Sequence, residues 1–473
     1  MAMQRSKKLA VSKFNIPRIL IGATSSGSGK TTITCGILKA LKNRGKTVGA
    51  FKCGPDYIDP MFHTKVIGIN SRNLDLFFND EDTIKYLLDK NTKTSNCDIA
   101  VMEGVMGYYD GVAGKTSIAS AYDLARATET PAVLIVDCKG KSMSILAEIK
   151  GFLEFEKNSQ IKGVILNRIS PSMYQILEPL IKSKLNIKPL GYVPILKEAG
   201  LQSRHLGLVT AGEIKNLSEI VETIAGQIEE TVDIDGLLEI GENAPHLEYQ
   251  FESVEIKETN PDKKIKIAIA KDDAFCFYYQ DNLDLLEKLG CQLVSFSPVA
   301  GDQLPKDICG MIFGGGYPEL YLDKLSANQT LSKQIKLAIE NGMPCLAECG
   351  GFMYLHQWIE DEEGNRFNTV GAISGGCYPL KKLGRFGYID VSLNDDVPLL
   401  NKNDSFKAHE FHYWDSENPG DVAHAQKPLA KRNWDCMVSY KNLFAGYPHI
   451  HFYSNLNFAK NFVDKCREYG DLA

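Results

Sequence analysis

The sequence lacks several features that would point to a membrane or nucleic-acid partner. None of its apolar runs approaches the roughly 20 residues that a membrane-spanning helix needs. Its 53 basic residues are outnumbered by 59 acidic ones, for a formal net charge of −6. General binders of nucleic acid or of anionic membranes carry the opposite excess. Short repeats and low-complexity tracts are also missing, so we expect small-molecule partners rather than a nucleic acid or a membrane.

Paired cysteines are missing as well. The chain has 12 cysteines, but none forms a CxxC pair, and Cys345 and Cys349 lack companion ligands at zinc-finger spacing. Free thiols in a reducing cytoplasm are the expectation for most of them. Pro17 and Arg18 interrupt the basic N-terminal stretch before an apolar segment of signal-peptide length can form. We therefore expect no signal peptide and a cytoplasmic location.

Two series of apolar runs divide the chain. A length of 473 residues exceeds a single core and favours about two to three domains. The runs RILIGA, TVGAFKCG, DIAVMEG, PAVLIVD and IKGVILNR alternate with helical patterns, which predicts a parallel sheet covered on both faces. A second alternation starts at KIKIAIA and reaches PCLA. The prediction is an α/β fold of two doubly wound domains, at 1–235 and 263–473, joined by a linker at 236–262.

A phosphate-binding loop is predicted by ATSSGSGKTT, which lies between the first strand and the first helix. Glycines there let backbone N–H groups face phosphate oxygens, and the helix N-terminus adds its dipole. Lys30 would reach the β- and γ-phosphates, and the Thr31 hydroxyl would complete a Mg²⁺ shell. Thr24 replaces the first glycine of the GxxxxGK[ST] pattern, yet the GKTT at the helix start favours a nucleotide site over an ordinary turn. The predicted ATP-binding residues are Gly27, Gly29, Lys30, Thr31 and Thr32.

Carboxylates follow two of the predicted strands. Glu103 comes directly after a buried strand, with Asp110 seven residues on, and KCGPDYIDP groups Asp56, Tyr57 and Asp59 in one loop. The carboxyl ends of parallel strands share one crevice, so these groups should lie near the phosphate loop. A carboxylate there can hold Mg²⁺. The alternative is that Asp56 and Asp59 cap a turn.

Cys349 lies in a turn typical of an exposed nucleophile. The stretch AECGG follows a short apolar strand and precedes a helix, like the small-x-nucleophile-x-Gly elbow. A helix N-terminus would lower the thiol pKa. Upstream, FGGGYPEL supplies a glycine loop, so the N–H groups of Gly315, Gly316 and Gly350 could form an oxyanion hole. A buried structural thiol is the alternative.

A base for this thiol is available in YPHIHFYSN. His449 and His451 would share one face of a strand, so one could act on Cys349 while the other orients it. KAHEFHYWD adds His409 and His412, which we interpret as part of a substrate or interface loop.

Together these motifs resemble the cobyrinic acid a,c-diamide synthase family over nearly the whole chain. The resemblance rests on SSGSGKTT, FKCGPDYIDP, EGVMGYYDG, LNR, DDAFCFYYQDNLDLLEKLG, SFSP, FGGGYPEL, AECGG, HEFHY and HIHF; GPDYID and AFCFYYQDNL are its most specific parts. It implies an N-terminal P-loop NTPase-like domain similar to dethiobiotin synthetase. It also implies a C-terminal domain similar to class I glutamine amidotransferases.

The resemblance also implies a reaction. Cys349 would hydrolyse glutamine with His449 as base, and ATP would convert a carboxylate of a modified tetrapyrrole into an acyl phosphate that ammonia displaces. Asn167 of LNR resembles an adenine-contacting asparagine. In class I glutaminases the third triad member is commonly Glu two residues after His; here it is His451. The residues that would surround metal, acyl phosphate and substrate are Asp56, Tyr57, Asp59, Glu103 and Asp110, with Thr31 and Glu103 as metal ligands.

Several alternatives stay open. The same scaffold could amidate nickel sirohydrochlorin or hydrogenobyrinic acid, and cobyric acid synthase has a similar plan without this form of GPDYID. From a different class, a ParA/MinD-like ATPase switch would use the nucleotide to control association, but it would not need a glutaminase half. The sequence leaves open whether the protein forms a homodimer.

Overall fold

The computed structural model describes residues 10–196, 211–252 and 265–472. Contacts divide the chain into two units, Met1–Glu252 and Ser253–Ala473. The last part of the predicted linker, residues 253–262, lies outside the described residues. Both units are α/β, as predicted from the alternating patterns.

The first unit contains nine strands and eight α-helices in its described part. The strands are β1 (Ser12–Phe14), β2 (Arg18–Ala23), β3 (Val48–Cys53), β4 (Ser71–Leu74), β5 (Ile99–Glu103), β6 (Ala132–Asp137), β7 (Ile161–Asn167), β8 (Lys188–Val193) and β9 (Leu247–Tyr249). The helices are α1 (Lys30–Asn43), α2 (Ile58–Phe62), α3 (Glu81–Thr94), α4 (Ala121–Ala127), α5 (Ser144–Glu154), α6 (Pro171–Leu185), α7 (Ala211–Thr231) and α8 (Ile234–Glu242).

A seven-stranded sheet forms the centre of this unit, in the order β4-β3-β5-β2-β6-β7-β8. Every neighbouring pair in it is parallel. The two central strands β2 and β5 are buried along their whole length, which explains their continuous apolar sequence. From β2 the chain runs through β3 to the edge strand β4, and it then returns through β5 to β6 on the other side of β2. Loops from β2, β3 and β5 therefore open into one crevice at the carboxyl edge.

Residues of the predicted linker continue the first unit. Helix α8 begins at Ile234, and β9 pairs antiparallel with β1 through Ser12↔Tyr249. The buried Arg18 guanidinium donates a hydrogen bond of 2.7 Å to the Pro245 carbonyl. The polar sequence between residues 236 and 249 thus contains a helix and a strand, although its composition is typical of a linker.

The second unit combines a parallel sheet with antiparallel additions. Its strands are β10 (Ile265–Ala270), β11 (Cys291–Phe296), β12 (Gly310–Phe313), β13 (Cys345–Glu348), β14 (Trp358–Glu360), β15 (Arg366–Asn368), β16 (Gly376–Pro379), β17 (Arg385–Leu393), β18 (Ser405–His412), β19 (Trp414–Ser416), β20 (Ala423–Gln426), β21 (Asn433–Cys436), β22 (Val438–Tyr440), β23 (Leu443–Gly446) and β24 (His449–Ile450). Its helices are α9 (Gln280–Lys288), α10 (Leu322–Ala327), α11 (Gln329–Glu340), α12 (Gly350–Leu355) and α13 (Leu456–Leu472).

The parallel part has the order β11-β10-β12-β13-β23-β22; only the edge pair β22–β23 is antiparallel. A five-stranded sheet, β21-β20-β17-β18-β24, and a four-stranded sheet, β15-β14-β16-β19, come mostly from residues between β13 and β23. The interpretation of KAHEFHYWD as a loop is therefore wrong, because His409 and His412 lie on strand β18.

All 12 cysteines are free, which confirms the expectation of unpaired thiols. Among the helices that the structure describes, none combines the length and apolarity that crossing a bilayer requires.

Candidate active sites

The phosphate loop ends where α1 begins. Gly29 precedes the helix with φ 87° and ψ 17°, a left-handed conformation that glycine adopts without strain. Lys30 is the first residue of α1, and its ammonium donates a 2.8 Å hydrogen bond to the Met106 carbonyl. Burial, followed by the nearby charge of Lys52, lowers the pKa of Lys30. The loop thus has the strand–loop–helix setting that a phosphate site requires.

Glu103 is the centre of a buried polar cluster at the end of β5. The Thr31 hydroxyl donates to Glu103 Oε1 over 2.7 Å, and the Lys52 ammonium lies 3.0 Å from the same oxygen. Lys52 also donates to the Asp59 carboxylate, and His63 Nε2 lies 3.4 Å from Glu103 Oε2. The structure therefore brings together Thr31, Asp59 and Glu103 from three separate predicted motifs.

Charge interactions inside this cluster outweigh burial for two of its members. Burial alone would favour neutral forms, but the carboxylates of Glu103 and Asp59 keep the pKa of Lys52 well above its usual value. Burial likewise opposes ionisation of Glu103, yet Lys52 and then His63 lower its pKa. For Asp59, burial and the neighbouring Glu103 charge raise the pKa. A cation and an ionised carboxylate are thus held side by side away from water.

Two members of the cluster, Lys52 and His63, were missed from the sequence. Lys52 sits within the buried strand β3. A charged residue inside an otherwise apolar run is itself a signal, because lysine is almost never buried without a partner. His63 lies in a short π-helical turn, His63–Ile67, and nothing in the sequence around it marks it as part of the site.

The remaining residues predicted for this half make local contacts. Asp56 Oδ1 accepts from the Ile58 amide at 2.9 Å, and Asp110 Oδ2 accepts from the Gly107 amide at 2.9 Å. The Asp56 contact fits the turn-capping alternative. Tyr57 is buried, and Asn167 donates from Nδ2 to the Ser28 carbonyl over 2.8 Å. The Asn167 amide thus contacts the phosphate loop itself.

Cys349 occupies a strained turn between β13 and α12. Its φ of 46° and ψ of −106° fall where a residue with a Cβ is rarely found. The Cys349 amide donates to the Gly446 carbonyl over 2.8 Å, which joins the turn to the end of β23. The thiol is buried, and its sulfur lies 3.8 Å from the Phe411 carbonyl oxygen. The backbone thus has the strained strand–turn–helix geometry that the sequence predicted, but the expected exposure of the thiol is wrong.

The three predicted oxyanion-hole glycines lie close together. A Cβ added to Gly350 would fall 3.1 Å from the Gly316 nitrogen, and a Cβ added to Gly315 would fall 2.4 Å from His449 Cε1. Side chains at Gly350 or Gly315 would therefore collide with backbone or with the imidazole. The glycine loop, the elbow and His449 form one crowded cluster.

The predicted low thiol pKa is wrong for this structure. Burial, followed by the charge of Glu319, raises the pKa of Cys349 well above its usual value. Helix α12 has only six residues, and its dipole does not compensate for removing the thiolate from water. A thiolate at Cys349 would therefore require a neighbouring base to take the proton.

His449 and His451 have different surroundings. His449 Nδ1 lies 3.6 Å from Glu348 Oε2. Strand β24 ends at Ile450, so the argument that both histidines share one strand face loses its basis. His451 packs instead against aromatic rings, with its centroid 5.1 Å from that of Tyr279. The contact between Glu348 and His449 was missed, because Glu348 was interpreted only as a flanking residue of the elbow.

Two protein-family models match this chain, one in each of its two units. A model of the CobQ/CobB/MinD/ParA nucleotide-binding domain matches residues 19–208, and a model of the CobB/CobQ-like glutamine amidotransferase domain matches residues 266–456. The chain is thus a glutamine amidotransferase with a nucleotide-binding domain, of the ligase class.

Similarity to curated relatives extends over almost the whole chain. The chain is 39% identical over 454 residues to cobyrinate a,c-diamide synthase of Caldanaerobacter subterraneus subsp. tengcongensis, covering 95% of this chain and 98% of that one. It is 41% identical over 451 residues to the protein of the same name from Clostridium acetobutylicum, covering 94% and 99%. The relative from Clostridium tetani is 38% identical over 454 residues, covering 94% and 99%. The chain belongs to the cobyrinate a,c-diamide synthase family.

Proposed function

We propose that this enzyme amidates the a- and c-side-chain carboxylates of cobyrinic acid, using ATP and glutamine. One observation carries the proposal. The chain contains both a buried Thr31–Glu103–Lys52 cluster beside a phosphate loop and a Cys349 elbow beside His449. That chain resembles relatives named for this reaction over nearly their full length. Neither site alone would make an amide from a carboxylate.

The second unit supplies ammonia. His449 takes the proton of the Cys349 thiol, and the sulfur attacks the side-chain amide carbon of glutamine. The N–H groups of Gly315, Gly316 and Gly350 stabilise the oxyanion. Collapse of the intermediate breaks the C–N bond, with the imidazolium returning the proton to the departing ammonia. Water then cleaves the thioester to give glutamate and restore the thiol, so glutamine and water become glutamate and ammonia.

The first unit prepares the acceptor. A carboxylate is a poor electrophile because oxide leaves badly, so its oxygen attacks the γ-phosphorus of ATP to give an acyl phosphate and ADP. Ammonia attacks the acyl carbon, phosphate leaves, and the amide remains. Lys30 and Lys52 face the charge that moves between the phosphates and the acceptor. Local supply of ammonia matters because free ammonia is mostly protonated near neutral pH, and positioning raises its effective concentration.

Mg²⁺ fits the donors at the end of β5. Thr31 Oγ1 and Glu103 Oε1 lie 2.7 Å apart, and no group of three or more His, Cys, Asp or Glu side chains able to hold a metal occurs among the described residues. Two protein oxygens suit Mg²⁺, which is commonly held by one or two side chains together with substrate phosphates and water. When bound, the ion would neutralise phosphate charge, and Thr31 and Glu103 would hold it.

The choice of tetrapyrrole is part of the proposal. Cobyrinic acid is favoured because the relatives carry its name, while nickel sirohydrochlorin and hydrogenobyrinic acid are the alternatives. Incubating the full chain with each acid, ATP, Mg²⁺ and glutamine would identify the acceptor. Mass spectrometry counts amides as losses of about one mass unit each. Two such losses on cobyrinic acid support the proposal; amidation of only another tetrapyrrole contradicts it.

Two variants test the division of labour. Cys349→Ser should abolish glutamine-dependent amidation and leave ammonium-dependent amidation at the wild-type rate, because only the ammonia source is lost. Lys30→Ala should abolish both. Full glutamine-dependent activity in Cys349→Ser would disprove the nucleophile, and amidation by Lys30→Ala with ammonium chloride would disprove the role of the phosphate loop.

A further inference from the structure

We infer that Glu348, the residue just before the proposed nucleophile, positions His449 in glutamine hydrolysis, the role the sequence assigned to His451. The inference rests on the proposed roles of Cys349 and His449 and adds a positioning residue to them. It places the orienting carboxylate at the end of the strand that leads into the Cys349 turn, and not two residues after the histidine.

The Glu348 carboxylate contacts two consecutive residues of β24. Its Oε1 accepts a 3.2 Å hydrogen bond from the Ile450 amide, and its Oε2 lies 3.6 Å from His449 Nδ1. The first contact fixes the carboxylate relative to the backbone of β24. The second contact places Oε2 near Nδ1 of His449, and the backbone of His449 is fixed by the same strand.

Sheet pairing holds this arrangement in register. Glu348 is the last residue of β13 and lies opposite Gly446 of the parallel strand β23. The chain reaches His449 three residues after Gly446, and His449 pairs with His409 of β18. Both ends of the Glu348–His449 contact are therefore set by backbone hydrogen bonds rather than by mobile loops.

A carboxylate at Nδ1 has a specific effect on the imidazole. It favours the tautomer with a proton on Nδ1, which leaves Nε2 as the acceptor for the thiol proton, and it stabilises the imidazolium that follows. A separation of 3.6 Å is longer than a hydrogen bond, but such contacts commonly tighten when substrate binds. His449 is 2% exposed, so water screens this attraction little.

The same carboxylate has an opposite effect on the thiol. Its charge contributes to the raised pKa of Cys349, after burial, Glu319 and Glu410. Glu348 therefore disfavours an isolated thiolate but favours a thiolate next to an imidazolium. His451 packs against the Tyr279 and Tyr453 rings. Its side chain carries no negative charge that could stabilise the imidazolium of His449.

The test uses the full chain with Glu348→Gln, Glu348→Asp and the exposed matched control Glu340→Gln. Glutaminase kcat and KM are measured from pH 5 to 9, with thermal unfolding as a check on folding. For Glu348→Gln we expect kcat to fall roughly 10- to 100-fold while KM for glutamine stays within about two-fold.

Glu348→Asp keeps the charge, so it should lose much less kcat than Glu348→Gln, again with little change in KM. Glu340→Gln should match wild type throughout. An unchanged kcat in Glu348→Gln would overturn the inference. A loss of kcat in Glu348→Asp as large as in Glu348→Gln would also overturn it. If the glutamine variant unfolds, a loss of about 100-fold or more in Glu348→Asp overturns it. If Cys349→Ser is inactive with glutamine while Glu348→Gln is normal, only this inference fails; if Cys349→Ser is active, the proposed function fails.

Discussion

Replacing Gly315 by alanine would place a methyl group against the ring of His449. The added Cβ would lie 2.4 Å from His449 Cε1, whereas carbon atoms in contact are separated by about 3.5 Å. The imidazole would have to move by about 1 Å. A misplacement of that size can cost about 100-fold in rate, equivalent to about 2.7 kcal/mol of transition-state stabilisation.

The assay is glutamine-dependent amidation compared with ammonium-dependent amidation in the full chain. We expect Gly315→Ala to lower the glutamine-dependent rate about 100-fold and to leave the ammonium-dependent rate unchanged, because the glycine lies in the second unit. Gly226→Ala is the control, since a Cβ there meets no atom within 4 Å. If Gly315→Ala keeps at least half of the glutamine-dependent rate, the position of His449 does not limit the reaction and the reasoning is refuted.

Two further predictions concern ionisable side chains. Lys52→Met leaves the carboxylates of Glu103 and Asp59 without their buried cation. The free energy of unfolding, measured with denaturant, should therefore fall by about 3–5 kcal/mol. Ammonium-dependent amidation should be lost in the amidation assay. His409 has its pKa lowered from 6.5 to about 3 by burial and by His449. Because the unfolded chain then takes up the proton first, stability should fall as the pH drops below about 6.5, and His409→Gln should remove up to about 1.4 kcal/mol per pH unit of that slope.

Exposed residues of the same types provide the controls. Lys65→Met and His246→Gln should leave stability and its pH dependence as in the wild type, because both side chains are exposed. A Lys52→Met protein as stable as wild type would contradict the buried ion pairs. Identical stability slopes between pH 5 and 7 for wild type and His409→Gln would contradict a neutral His409 in the folded state.

The sequence predicted elements whose pattern is set by burial on both faces. β2 and β5 are continuous apolar runs in the middle of a sheet, and the loop before α1 carries the residue types that phosphate demands. The antiparallel strands between β13 and β23 were not predicted. Strand β17, for example, alternates buried and exposed residues only over residues 389–393, so its first part lacks the period-two pattern of a half-buried strand.

The site was predictable where one residue type has a fixed role, and less so where a contact joins distant segments. Cys349 could be found from its glycines. The nearness of Glu348 to His449 depends on the pairing of β13 with β23, which no local pattern contains. The pKa of Cys349 was misjudged for a related reason, since burial by distant segments outweighs the local helix terminus.

The pairing of β1 with β9 has a consequence for dissecting the enzyme. It brings the two ends of the first unit together, with Ser12 opposite Tyr249. A fragment that stops at residue 235 would lose β9, leave β1 without its neighbour and remove the Pro245 carbonyl that Arg18 binds. A fragment that runs to residue 252 keeps all three. We therefore expect a fragment of the first unit to fold on its own only if the cut keeps β9, a strand that lies in linker-like sequence.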